Sequence, residues 1–192
     1  MDRREAITKV SWLLGGTIIG ANLFLEIGCT PSAEKGASAG SFFNTDQIAL
    51  LDEMGETILP ATSTPGAKAA KVGEFMNVMV RDCYTKRDQG IFREGMKRLD
   101  EQCKKEHGKS FMECSPAERT SFFTKVDARQ KAYMDGKKPE QPSHYFRMIK
   151  ELTLLGFFTS EVGATKALRY VAIPGKYDGN VPYKKGDKAW AT

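Results

Sequence analysis

Few residues in this chain carry reactive chemistry, and those few are scattered. The two histidines, His107 and His144, are far apart in sequence. Neither has a second ligand at zinc-site spacing. The sequence holds no G-x-S-x-G elbow, no G-x-G-x-x-G turn and no phosphate loop. Of the four cysteines, Cys29 sits at the end of the N-terminal leader segment, while Cys83, Cys103 and Cys114 form no C-x-x-C pair. Three thiols cannot all pair within one chain, so one disulfide and buried free thiols both remain open. Asp52, Glu53 and Glu56 lie along one expected helix and read as solvated. His107, at an expected helix end, suits the negative end of the helix dipole. His144 follows an expected N-cap and reads as a surface or interface residue. No catalytic, cofactor-binding or metal-binding residue is therefore assigned to this chain. An enzyme working through His107 or His144 is the minor alternative.

The one strong chemical signal is Arg3-Arg4, ahead of an uncharged run from Val10 to Leu25. As a helix that run would rise about 24 Å, short of the roughly 30 Å bilayer core. Gly15, Gly16 and Gly20 weaken it further. A basic start and a short apolar run are the pattern of an export signal. The arginine pair points to the twin-arginine route and places the protein in the periplasm. The leader ends either at Cys29, a candidate lipidation site preceded by Gly28, or at the small residues Ala37-Ser38-Ala39. Cleavage leaves about 150–160 residues, enough for one domain with a core.

The expected organisation is a signal segment over 1–29, a flexible tether over 30–41, a helical domain over 42–170 and an irregular tail over 171–192. With 41% hydrophobic and 28% charged residues the chain is globular rather than disordered. Abundant Lys, Glu, Ala, Leu and Met favour an all-α fold, a small irregular bundle. The net charge of +5 is concentrated between residues 81 and 150. Acidic and basic residues interleave there, as on solvated helix faces, and no aromatic-rich basic stripe marks a nucleic-acid reader.

Helices are predicted from Asn44 or Thr45 to Pro60, over Gly73–Cys83, over Arg87–His107, over Pro116–Tyr133 and over Ser143–Phe158. A short turn at Ala67–Ala70 and a short helix near Ser160–Leu168 complete the set. Asn44 with Gln47, and Ser115-Pro116 with Glu118, have capping-box spacing, and Gly108 is a stop. The Ser143–Phe158 segment is apolar nearly all round, so it is either the central helix or covered by a partner. The tail combines Pro and Gly with spread aromatics. Phe157, Phe158, Tyr177, Tyr183 and Trp190 are the candidate partner contacts, because aromatics anchor interfaces.

Several segments in order resemble the gluconate 2-dehydrogenase subunit 3 family. They are the Arg3-Arg4 leader, Phe42-Phe43 through Gln47–Asp52 to Glu56–Thr62, and Thr64–Ala67. Cys83-Tyr84-Thr85, Leu155–Glu161, Val181-Pro182-Tyr183 and Ala189-Trp190-Ala191 complete the match. The resemblance implies a helical, non-catalytic small subunit that binds no cofactor itself. It implies a large FAD-containing dehydrogenase partner acting on a sugar or polyol. Electrons then leave through an iron–sulfur cluster or a cytochrome c, depending on the complex. It also implies that the small subunit supplies the signal read by the twin-arginine translocase and stabilises the large one. The other class of reading is a stand-alone periplasmic lipoprotein with a binding or scaffolding role.

Overall fold

The protein, seen in a computed structural model, is described over residues 40–191 apart from 174 and 177. Arg3, Arg4, Cys29, Ala39 and Tyr177, with the leader and most of the tether, lie outside the described residues. Five α-helices run in order: α1 (Thr45–Ile58), α2 (Val72–Cys83), α3 (Lys86–His107), α4 (Pro116–Gly136) and α5 (Tyr145–Thr159). Short 3-10 turns at Ala67–Ala70 and Phe111–Glu113 punctuate them, and a π-helical turn covers Gly163–Ala167. The mostly helical architecture is the expected one. The tail departs from it, because Arg169–Tyr170 (β1) and Trp190–Ala191 (β2) pair as two parallel strands.

The helix ends follow local chemistry. Asn44 accepts the Gln47 amide at 2.8 Å, and the Gln47 side chain accepts the Asn44 amide at 3.0 Å. This reciprocal box satisfies donors that the first turn of α1 leaves orphaned. Thr85 caps α3 by accepting the Asp88 amide at 3.2 Å. At the other end Gly108 adopts φ +73°, and its amide reaches the Lys104 carbonyl at 2.9 Å. Glu118 accepts both the amide and the hydroxyl of Ser115, each at 2.7 Å, at the start of α4. Those bonds, with Lys109 at 3.0 Å, hold the Glu118 carboxyl down at about 2. α4 runs to Gly136, past the expected end at Tyr133.

α5 is the central helix and touches α1, α2, α3 and α4. Its own small residues allow this. Gly156 leaves room for the Phe75 ring, and Thr153 returns its hydroxyl to the Ile149 carbonyl at 2.8 Å. Seven phenylalanines enter the core, and Phe43, Phe92, Phe111, Phe122 and Phe146 are all at most 1% exposed. Phe111 stacks on Phe123 with centroids 4.9 Å apart, and Phe123 meets Phe146 edge-on at the same distance. Such pairs add to the stabilisation from burial.

Buried polar groups join the helices. Asn77 Oδ1 accepts the amides of Phe43 at 2.8 Å and Phe42 at 3.0 Å, and the Ser41 hydroxyl at 3.3 Å. Gln89 Nε2 donates to the carbonyls of Val80, Arg81 and Tyr84, so it caps the C-terminal end of α2. The carboxylates read as solvated are instead half-buried clamps on residues 60–73. Asp52 accepts the Gly73 amide at 2.7 Å. Glu56 accepts the amides of Ala61 at 2.8 Å and Lys68 at 2.9 Å. Glu53 pairs with Lys68 at 3.1 Å and Arg119 at 3.2 Å. Burial raises the Asp52 carboxyl, with the Gly73 amide acting in the opposite sense. Burial also pushes Glu53 up, yet hydrogen bonds from Lys68 and Arg119 outweigh it and leave Glu53 lowered.

Candidate partner-binding surface

Of the described reactive side chains, Cys103 and Cys114 come together, and the two histidines have separate neighbours. His144 is the N-cap of α5, one residue past the expected cap at Ser143, and its Nδ1 accepts the Phe146 amide at 3.2 Å. Its ring stacks on Tyr145 at 4.5 Å. Burial, then repulsion from Arg129, lowers its proton affinity. His107 is the last residue of α3, at the expected helix end. Its ring lies edge-on to Phe122, and its buried Nε2 has no hydrogen-bond partner. Cys103 and Cys114 are buried together, whereas Cys83 is exposed. Among the described residues, no group of three or more His, Cys, Asp or Glu could hold a metal ion.

The clefts lined by described residues are open ones. One of about 230 Å³ lies between α1, α4 and α5, beside the Asp127–Lys150 pair at 2.6 Å. Threonines 57, 120 and 124 form much of its wall. Each threonine hydroxyl is tied to the carbonyl four residues back, and Asp127 is paired with Lys150.

The larger unpaired feature is apolar. Leu154, Leu155 and Phe158 lie three and four residues apart on α5 and form one outward stripe. Each is 40–46% exposed. Phe157 was expected among the partner contacts, but it is 2% exposed and belongs to the core. The physical reason is helix phase: a step of one residue turns the side chain by about 100°. Phe157 therefore faces inward where Phe158 faces out.

Beyond the stripe, Ser160 closes α5 and its hydroxyl accepts the Gly163 amide at 3.0 Å. Gly163 packs so close to the Phe157 carbonyl that no side chain would fit. The π turn ends where the Leu168 amide reaches back to Gly163 O at 3.1 Å. The chain then enters β1, and the tail returns to it as β2. The Arg169 amide donates to Ala189 at 2.8 Å and Val171 to Ala191 at 2.9 Å. The Arg169 guanidinium lies 4.6 Å from the Trp190 ring centre, a cation–π contact, and Lys188 reaches the Lys166 carbonyl. The returning tail frames a cleft of about 340 Å³ between Arg169, Val181, Tyr183 and Trp190. Of the sequence candidates here, Tyr183 is 77% exposed and Trp190 56%. Ile173, at 85%, was not among them, because a lone isoleucine in a Pro- and Gly-rich tail gives no periodic signal.

A family model described as gluconate 2-dehydrogenase subunit 3 matches residues 45–175. That span takes in all five helices and ends within the tail. Comparison with curated proteins and with solved structures returns no match. The chain belongs to the gluconate 2-dehydrogenase subunit 3 family. Membership implies a place as a small subunit beside the other subunits of such a dehydrogenase complex.

Proposed function

We propose that this member of the gluconate 2-dehydrogenase subunit 3 family is the non-catalytic small subunit of a periplasmic FAD-dependent sugar or polyol dehydrogenase. The family match over residues 45–175 carries this reading. FAD resides in the large partner, and the electrons it collects pass to an acceptor such as a cytochrome c. The Arg3-Arg4 leader sends the folded pair through the twin-arginine translocase, so the large subunit needs no signal of its own. Cys29 is the point at which a lipid would tether the complex.

The exposed Leu154, Leu155 and Phe158 stripe supports this role. Side chains of that kind on a partly uncovered helix face suit a permanent protein neighbour. Phe158, Tyr183 and Trp190 are the proposed anchors, and Tyr177 remains with them as a sequence-based candidate.

Affinity purification of the tagged full-length chain from the periplasm tests the reading. The expected result is a large co-purifying subunit with flavin absorbance. Replacing Arg3-Arg4 by Lys-Lys is expected to leave both proteins in the cytoplasm. An exported chain that is monomeric and free of flavoprotein overturns the proposal in favour of a stand-alone lipoprotein.

A further inference from the structure

Cys103 and Cys114 approach each other at the corner between α3 and α4. Cys103 lies in the last turns of α3, and Cys114 follows the Phe111–Glu113 turn, 11 residues on. Their sulfurs are 3.4 Å apart, and the residues are 0% and 4% exposed. A disulfide needs sulfurs at about 2.0 Å, so closure asks for roughly 1.4 Å of approach. The corner is already framed on both sides. Asp100 accepts the Phe111 amide at 2.9 Å, and Arg119 donates to the carbonyls of Phe111 at 3.0 Å and Met112 at 2.7 Å.

We propose that Cys103 and Cys114 form an intrachain disulfide once the protein reaches an oxidising compartment, pinning the α3–α4 corner. The compartment rests on the export reading above; the pairing rests on the geometry alone. Cys83 is exposed and takes no part. Inside the closed corner, burial first, then the Cys114 thiol and the acidic Asp100 and Glu106, push the Cys103 thiol up to about 12. A protonated thiol is a poor nucleophile, so exchange proceeds through opening of residues 108–115. In the opened segment the Cys114 thiolate attacks the disulfide of a thiol–disulfide oxidoreductase, or of oxidised glutathione in vitro. One sulfur of the oxidant leaves as a thiol. The Cys103 thiolate then attacks Cys114 Sγ and expels the second. Two cysteine thiols are oxidised to one disulfide, one oxidant disulfide is reduced to two thiols, and their two protons end on the oxidant.

Two measurements on the full-length chain test this. Trypsin cuts on both sides of Leu99–Lys104 and of Ser110–Arg119, so non-reducing peptide mapping reads the bond directly. In protein purified from the periplasm, the two peptides are expected as one linked species that dithiothreitol separates. Protein prepared in the reduced state and equilibrated with excess oxidised glutathione is expected to give the same species. Its melting temperature should rise by roughly 5–10 °C. The Cys103→Ala/Cys114→Ala variant should show no such shift. Should that variant not fold, the oxidised and reduced forms of the native chain supply the comparison. Free thiols in the periplasmic protein overturn the proposal, as do separate glutathione adducts on each cysteine in vitro. A linked pair in vitro with the chain confined to the cytoplasm leaves the disulfide standing and overturns the export reading instead.

Discussion

The helical bundle and the C-terminal tail are built with similar aromatic residues, yet they use them in opposite ways. In the bundle, Phe43, Phe92 and Phe146 are at most 1% exposed and belong to one continuous core. In the tail, Tyr183 and Trp190 are mostly in solvent, and two strands of two residues each provide the only ladder among the described residues. A ring stabilises a fold chiefly through the apolar area it removes from water. The five helices of the bundle supply that cover, whereas the tail offers one cation–π contact and a few backbone bonds. The bundle thus holds the buried apolar core among the described residues, and the rings of Tyr183 and Trp190 stay largely in solvent.

The contrast can be broken at three points. The largest effect should come from Phe92→Ala. Removing a fully buried ring between Phe43 and Tyr84 is expected to cost about 3–5 kcal/mol, read by urea denaturation. A loss below about 1 kcal/mol would show that the core is not where the stability lies. Asn77→Ala comes next, because it leaves the Phe42 and Phe43 amides without their acceptor, while the Ser41 hydroxyl keeps the Phe43 carbonyl at 2.6 Å. We expect about 1–3 kcal/mol, with faster hydrogen exchange at Phe42 and Phe43. The smallest effect on the isolated chain should be that of Tyr183→Ala, within about 0.5 kcal/mol. The same substitution should weaken co-purification of the large subunit. A Tyr183→Ala chain that unfolds as readily as Phe92→Ala would erase the distinction between the two regions.

Much of the bundle is written locally. The Asn44–Gln47 and Ser115–Glu118 boxes and the Gly108 stop each act within a few residues, so the sequence displays them. What it hides is long-range. The partners of Asp52, Glu53 and Glu56 lie at residues 61, 68, 73 and 119, and nothing near the carboxylates announces them. Asn77 and Gln89 look like ordinary polar helix residues until another segment's backbone is placed over them. Helix phase explains the error at Phe157. Where a helix is apolar nearly all round, composition gives no angle, and only packing separates Phe157 from Phe158. The pairing of Arg169 with Trp190 is equally silent, because two-residue strands are too short to show an alternation.

The grip of Asn77 on Ser41, Phe42 and Phe43 has a mechanical consequence. These residues join the bundle to everything upstream, and Arg81 adds a bond to the Gly40 carbonyl at 2.6 Å. Any tension applied at the N-terminus enters the bundle here, through hydrogen bonds from backbone to α2 rather than through the end of α1. The Phe43 ring, 5.7 Å from Phe92, adds an apolar hold at the same place. These contacts must give way before a pull on the upstream segment can unwind the first turn of α1.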